Sequence, residues 1–168
     1  KKHKTVIIPV GSLEAHGPHL PLGTDTVEVY EIVKQVARFT AVFVAPPLWY
    51  GVCRSTRKHP GTVGVTPDTL RQCVKDVVKS LYANGLRKFA IISGHASSLH
   101  LSALQEAGEA LLEEMGSRVT IAVISAYDMA RDAAANSPIR ARGLGPARHG
   151  PSPQSMRPAA SAIAASAR

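Results

Sequence analysis

What most limits the folds open to this chain is an alternation: four short, apolar, β-branched runs, each separated from the next by a segment with helical periodicity. The runs are residues 4 to 10, 41 to 45, 88 to 93 and 119 to 125, too short for helices and bounded by Gly, Pro or polar residues, so each reads as a buried strand. Between the first two, Val29, Tyr30, Val33, Val36 and Ala37 form a helical stripe, with Thr24 or Asp25 as its cap. A second helix opens at Thr66-Pro67-Asp68, buries Leu70, Val74, Val77, Val78 and Leu81, and ends at Asn84-Gly85. A third runs from about Leu99 to Met115 on a stripe of Leu104, Ala107, Leu111 and Met115. Strands alternating with amphipathic helices predict an α/β fold, three-layer α/β/α with a mostly parallel sheet. Leu48 to Val65 reads as loop.

With 168 residues the chain is long enough for one domain with a proper core. No apolar run approaches a membrane span, and the six-residue run near the start is too short for a signal-peptide core. Cys53 and Cys73 form no framework, so reduced thiols and a cytoplasmic location are expected. The net charge of +8 suggests nucleic acid, but residues 131–168 hold six Arg and a single acid. Residues 1–130 therefore form a near-neutral body, and 131–168 a basic Ala/Pro/Arg-rich tail too poor in large apolar residues to offset chain ordering. That tail also lacks aromatics to stack bases, so neither nucleic acid nor membrane is expected as a partner.

Chemistry concentrates in Gly11 to Asp25, where Glu14, His16, His19 and Asp25 sit among Gly and Pro residues directly after the first strand. Carboxylate and imidazole together suit zinc, manganese or iron. In an extended segment Glu14 and His16 point the same way, and the turn brings Asp25 back towards them. His95 lies just past the third strand, in Ser93-Gly94-His95-Ala96-Ser97-Ser98. Open parallel sheets bind ligands at the carboxyl ends of their strands, so the two clusters are expected to share one crevice. His100 reads as a surface residue, and Trp49 and Tyr50 as wall or subunit contact.

The seventeen residues from Pro9 to Asp25 resemble the first signature of the creatininase (creatinine amidohydrolase) family. The turn around His95 is similar to its second signature, usually Asn-Gly-His-Gly-Gly-Asn-like, and His59-Pro60-Gly61-Thr62 resembles its Phe-Pro-Gly-Thr substrate-side loop. The resemblance implies a metal-dependent amidohydrolase with two divalent ions per chain (Zn, Mn or Fe). Glu14, Asp25 and His95 would hold one ion, and His16 with the bridging Asp25 the other. It also implies a small-molecule amide substrate, cyclic or of formamide type, and a homo-oligomer, often a hexamer. Family members continue into a His-x-Gly-x-x-Glu-Thr-Ser-like segment, and some take an acidic ligand from two residues past the second-signature His. Here those positions are Gln154 and Ser97, so the last carboxylate is missing and the end past about residue 130 reads as degraded or out of frame. His149 is the candidate proton donor to the leaving nitrogen. The rival reading is a catalytically impaired member that binds a ligand or serves as an assembly subunit.

Overall fold

The computed structural model describes residues 5–135. Its elements alternate as β1 (Thr5–Val10), α1 (Thr24–Phe39), β2 (Phe43–Val44), α2 (Pro67–Ala83), β3 (Lys88–Ser93), α3 (Ser98–Met115), β4 (Thr120–Ser125) and α4 (Ala126–Ala135). The four strands form one parallel sheet in the order β2-β1-β3-β4. Side chains alternate across it, as the two-residue period of a strand requires. Val6, Ile8 and Val10 of β1 join Phe89 and Ile91 of β3 on one face, where Leu70, Val74 and Val78 of α2 and Leu104, Ala107 and Leu111 of α3 close over them. On the other face Ile7 packs against Val29 and Val33 of α1, flanked by Ala90 and Ile92. The α/β/α sandwich expected from the alternation is therefore the fold.

Local signals worked where local chemistry decides. Thr66 caps α2 by accepting a hydrogen bond from the Thr69 amide (3.2 Å), with Pro67 at the first helical position. Three expectations need correcting. The second strand is not a buried five-residue run but a two-residue edge pairing, Val6 with Phe43 and Ile7 with Val44, and Phe43 is exposed. Pro46 and Pro47 interrupt it because they carry no amide hydrogen for the ladder, which resumes with Leu48 donating to Pro9. Val36 is exposed rather than part of the α1 core. Neither Thr24 nor Asp25 caps α1: Gly23 occupies the cap without a side-chain bond, Thr24 Oγ1 donates to the Pro21 carbonyl, and Asp25 turns inward. α4 also carries helix past residue 130, to Ala135.

The strand order makes a crevice. From β1 the chain leaves through α1 towards one edge, whereas from β3 it leaves through α3 towards the other, so the loops after these adjacent strands diverge. Gly94, first residue after β3, sits there with its amide donating to the Val10 carbonyl (2.9 Å). A Cβ on Gly94 would collide with the Asp25 carbonyl oxygen and approach Val29 Cβ to 2.9 Å, so only glycine lets the end of β3 meet the start of α1. Gly94→Ala should destabilise the protein by about 1–3 kcal/mol, the usual cost of overpacking. Urea unfolding measures this, and an unchanged midpoint would mean the two backbones part at no cost.

Candidate metal centre

Three separate segments deliver the side chains. The loop after β1 brings Ser12, Glu14 and His16, the first turn of α1 brings Asp25, and the turn after β3 brings His95. Asp25 is the hub: Oδ1 lies 2.8 Å from His16 Nε2 and Oδ2 lies 2.8 Å from His95 Nδ1, although Asp25 and His95 are 70 residues apart. Ser12 Oγ donates to Oδ2 at 2.7 Å. Glu14 Oε1 is 3.0 Å from His95 Nδ1, and its other oxygen accepts from Thr56 Oγ1. Glu14, Asp25 and His95 are buried, and ligand atoms of Glu14, His16 and Asp25 lie within 4.8 Å of one another.

The far side of each ring is also spoken for. His95 Nε2 donates to the Val52 carbonyl (3.2 Å), and His16 Nδ1 faces the Glu14 carbonyl (3.0 Å). Each imidazole thus meets oxygen acceptors at both nitrogens. A neutral imidazole has one hydrogen to donate, so its second nitrogen presents a lone pair to a carboxylate. That arrangement is satisfied only by a positive charge between the groups, either a proton or a metal ion. The donor set of carboxylates and imidazoles therefore fits divalent cations of the zinc, manganese or iron type.

The same contacts govern protonation. Burial would lower the His95 pKa, but hydrogen bonds and charge from Asp25 and Glu14 outweigh it and raise the value to about 9. His16 is likewise raised against its burial, by the Glu14 carbonyl and by Asp25. Burial would raise Asp25, yet hydrogen bonds from His95 and Ser12 and the two nearby imidazoles hold it below the ordinary range. Glu14 is lowered in the same way by His95 and Thr56. The Cys53 thiol is pushed up to about 11 by burial and by the Glu14 charge, so it stays protonated.

A cavity of about 410 Å³ opens beside this cluster, walled by Glu14, His16, Asp25 and His95 together with Glu28 and Ile32 of α1, Ser97, and Tyr127 of α4. Of the four expected ligands, all meet at this one place. His19 is exposed and does not line the cavity, and His149 lies outside the described residues. His59-Pro60-Gly61-Thr62 forms a turn, and its Thr62 Oγ1 accepts from the Ala15 amide (3.1 Å), which pins the ligand loop. Trp49 and Tyr50 are partly exposed and stand off the cavity.

His100 corrects an expectation, since it is fully buried rather than on the surface. It lies four residues before Leu104 on the buried stripe of α3, a signal its polarity obscured. Its Nδ1 accepts the Val52 amide hydrogen (3.1 Å), and its ring meets His95 edge-on at 4.9 Å. Burial, with the His95 charge, drives its pKa down to about 3, so it is neutral. Sequence reasoning also missed Cys53, whose sulfur lies within 4.8 Å of ligand atoms of Glu14 and His95, and Thr56. Both arrive on the aperiodic segment after β2, which carries no signal of where it will pack.

The electrostatics give a sign for pH. In metal-free protein, protonated His95 contributes stability that is fully present below pH 6.5 and is lost as pH rises through about 9. Asp25 and Glu14 act oppositely: their contribution is present above the ordinary carboxylate range and is lost in acid. Urea midpoints of chelated protein should therefore fall between pH 6.5 and 9. Over the same window zinc affinity should rise, because cation and proton compete for one nitrogen. A flat zinc titration would contradict the competition.

Known proteins share the chain's sequence and fold. A model of the creatininase family, described as creatinine amidohydrolase, matches residues 1–151. The 3-dehydro-scyllo-inosose hydrolase of Thermotoga maritima is 39% identical over 98 residues, 56% of this chain and 31% of the relative. Creatinine amidohydrolase of Pseudomonas putida is 32% identical over 96 residues, 54% of this chain and 36% of the relative. The aligned region thus spans about a third of these curated relatives. A crystal structure of creatininase superposes with a TM-score of 0.69 at 26% identity, over 84% of this chain and 57% of that one. Zn-Zn and Mn forms of creatininase each give 0.67 at 27% identity, over 76% of this chain and 52% of theirs. With matching sequence motifs, a matching fold and a carboxylate–imidazole cluster at the switch point of its sheet, the chain belongs to the creatininase family.

Proposed function

We propose that this chain forms the metal-binding part of an amidohydrolase that cleaves a non-peptide C–N bond, in a cyclic amide or a formamide. The observation that carries this reading is that both nitrogens of His16 and His95 face oxygen acceptors, with Asp25 between the two rings. Glu14, Asp25 and His95, which meet at His95 Nδ1, would hold one divalent ion, and His16 with Asp25 a second, of zinc, manganese or iron. Such ions supply polarisation of a bound carbonyl and lower the pKa of water from near 16 to about 7.

The chain's own residues do the rest. Ser12 and Thr56 spend hydroxyl hydrogens on Asp25 and Glu14, fixing which carboxylate oxygens remain for a cation. The Val52 carbonyl holds the Nε2 hydrogen of His95, so Nδ1, which faces Asp25 and Glu14, is the nitrogen a cation would take from its proton, the usual outer-shell arrangement for a ligating imidazole. The cavity suits a small molecule, with Ile32 and Tyr127 as apolar wall beside the acids. His149 is our proton donor to the leaving nitrogen, on its likeness to the family's C-terminal segment. We further propose a homo-oligomer, in family style a hexamer, working in the cytoplasm. Among the described residues no helix is long and apolar enough to cross a membrane.

Ser97 on the cavity wall favours the second reading, an impaired member, because a hydroxyl cannot replace a carboxylate ligand. Ion count separates the readings: two tightly held ions per chain support the hydrolase, none or one the impaired subunit. Asp25→Asn should remove bound metal and amide hydrolysis together, measured by elemental analysis and a screen of cyclic amides and formamides. Retention of full metal content would refute the ligand assignment.

A further inference from the structure

We infer that Glu28 of α1 supplies the carboxylate that the second ion of this centre otherwise lacks; the inference rests on the two-ion hydrolase reading above. Three carboxylates line the cavity: Glu14, Asp25 and Glu28. The first two are committed. Glu14 is held by His95 and Thr56, while Asp25 divides its oxygens between His16 on one side and His95 with Ser12 on the other. On the His16 side, one imidazole and one shared carboxylate oxygen make an incomplete set for a cation that takes at least three protein ligands in catalytic sites.

Glu28 stands one helical turn beyond Asp25, three residues along α1. At that spacing β-carbons are about 5–6 Å apart on the same helix face, close enough for two side chains to share one ion. Carboxylate and imidazole pairs at this spacing hold metals in di-iron helical bundles. Glu28 is exposed, and among the described residues no hydrogen bond or ion pair holds it; the neighbouring Glu31 takes Lys34 instead. Its side chain is therefore free to turn. Charge argues the same way. Two divalent ions bring four positive charges against two from Glu14 and Asp25, and a third carboxylate narrows that gap. Ser97, on the same cavity wall, offers only a neutral hydroxyl.

The test is calorimetric titration of the chelated, full-length chain with zinc, with elemental analysis of the dialysed product. The native chain should take two ions. Glu28→Gln and Glu28→Ala should each keep the first and bind the second at least about tenfold more weakly, the scale of loss when a metal-site partner is removed. Adding Ser97→Glu to Glu28→Gln should restore the second ion. Unchanged uptake of two ions by both Glu28 variants overturns the role of Glu28 and leaves the two-ion reading intact. Fewer than two ions in the native chain overturns that reading and the inference with it.

Discussion

The carboxylate of Asp25 is the interaction on which this structure turns. A buried carboxylate in contact with two imidazoles, a serine hydroxyl and, through His95, a second carboxylate is stable only if positive charge lies among them. Protons can supply that charge, and the raised His95 pKa is its signature. A divalent ion would supply it in place of the proton between His95 Nδ1 and the carboxylates, with the Nε2 hydrogen still held by the Val52 carbonyl. The side chains thus stand together before any cation arrives, an arrangement that lowers the ordering cost of binding one.

That preorganisation comes from the fold. The parallel sheet ends β1 and β3 side by side, and their following loops diverge. Gly94 allows the end of β3 to touch the start of α1, so His95 and Asp25 meet although their elements lie on different parts of the chain. Gly11 does the same at the end of β1, where a Cβ would collide with Thr26. Two glycines, each directly after a strand, therefore set the spacing between the segments that carry Glu14, Asp25 and His95.

Much of this was legible in the chain. β3 has the bounds its apolar run predicts, and α2 starts and stops at its cap and its Asn-Gly. The four ligand candidates were readable because two lie on one face of an extended segment and two flank glycine-punctuated turns after strands. What was not legible came from long-range packing. The segment carrying Val52, Cys53 and Thr56 has no periodicity, so nothing in it announces that it folds over His95 and Glu14. β2 was overestimated because an apolar run looks the same at an edge as at the centre of a sheet. His100 was misplaced because residue type outweighed its position on the stripe.

The Val52 backbone has a consequence of its own. Its carbonyl takes the hydrogen of one imidazole and its amide gives a hydrogen to another, so two successive peptide groups meeting at one residue orient both rings. His95 is left with Nδ1 facing Asp25, whereas Nδ1 of His100 is taken up as the acceptor of that amide hydrogen. The backbone, not any side chain at position 52, therefore decides which atom of His95 is available for chemistry. Evolution can exchange Val52 for other apolar residues without touching that decision, and even a proline there would keep the carbonyl facing His95 and remove only the amide that serves His100.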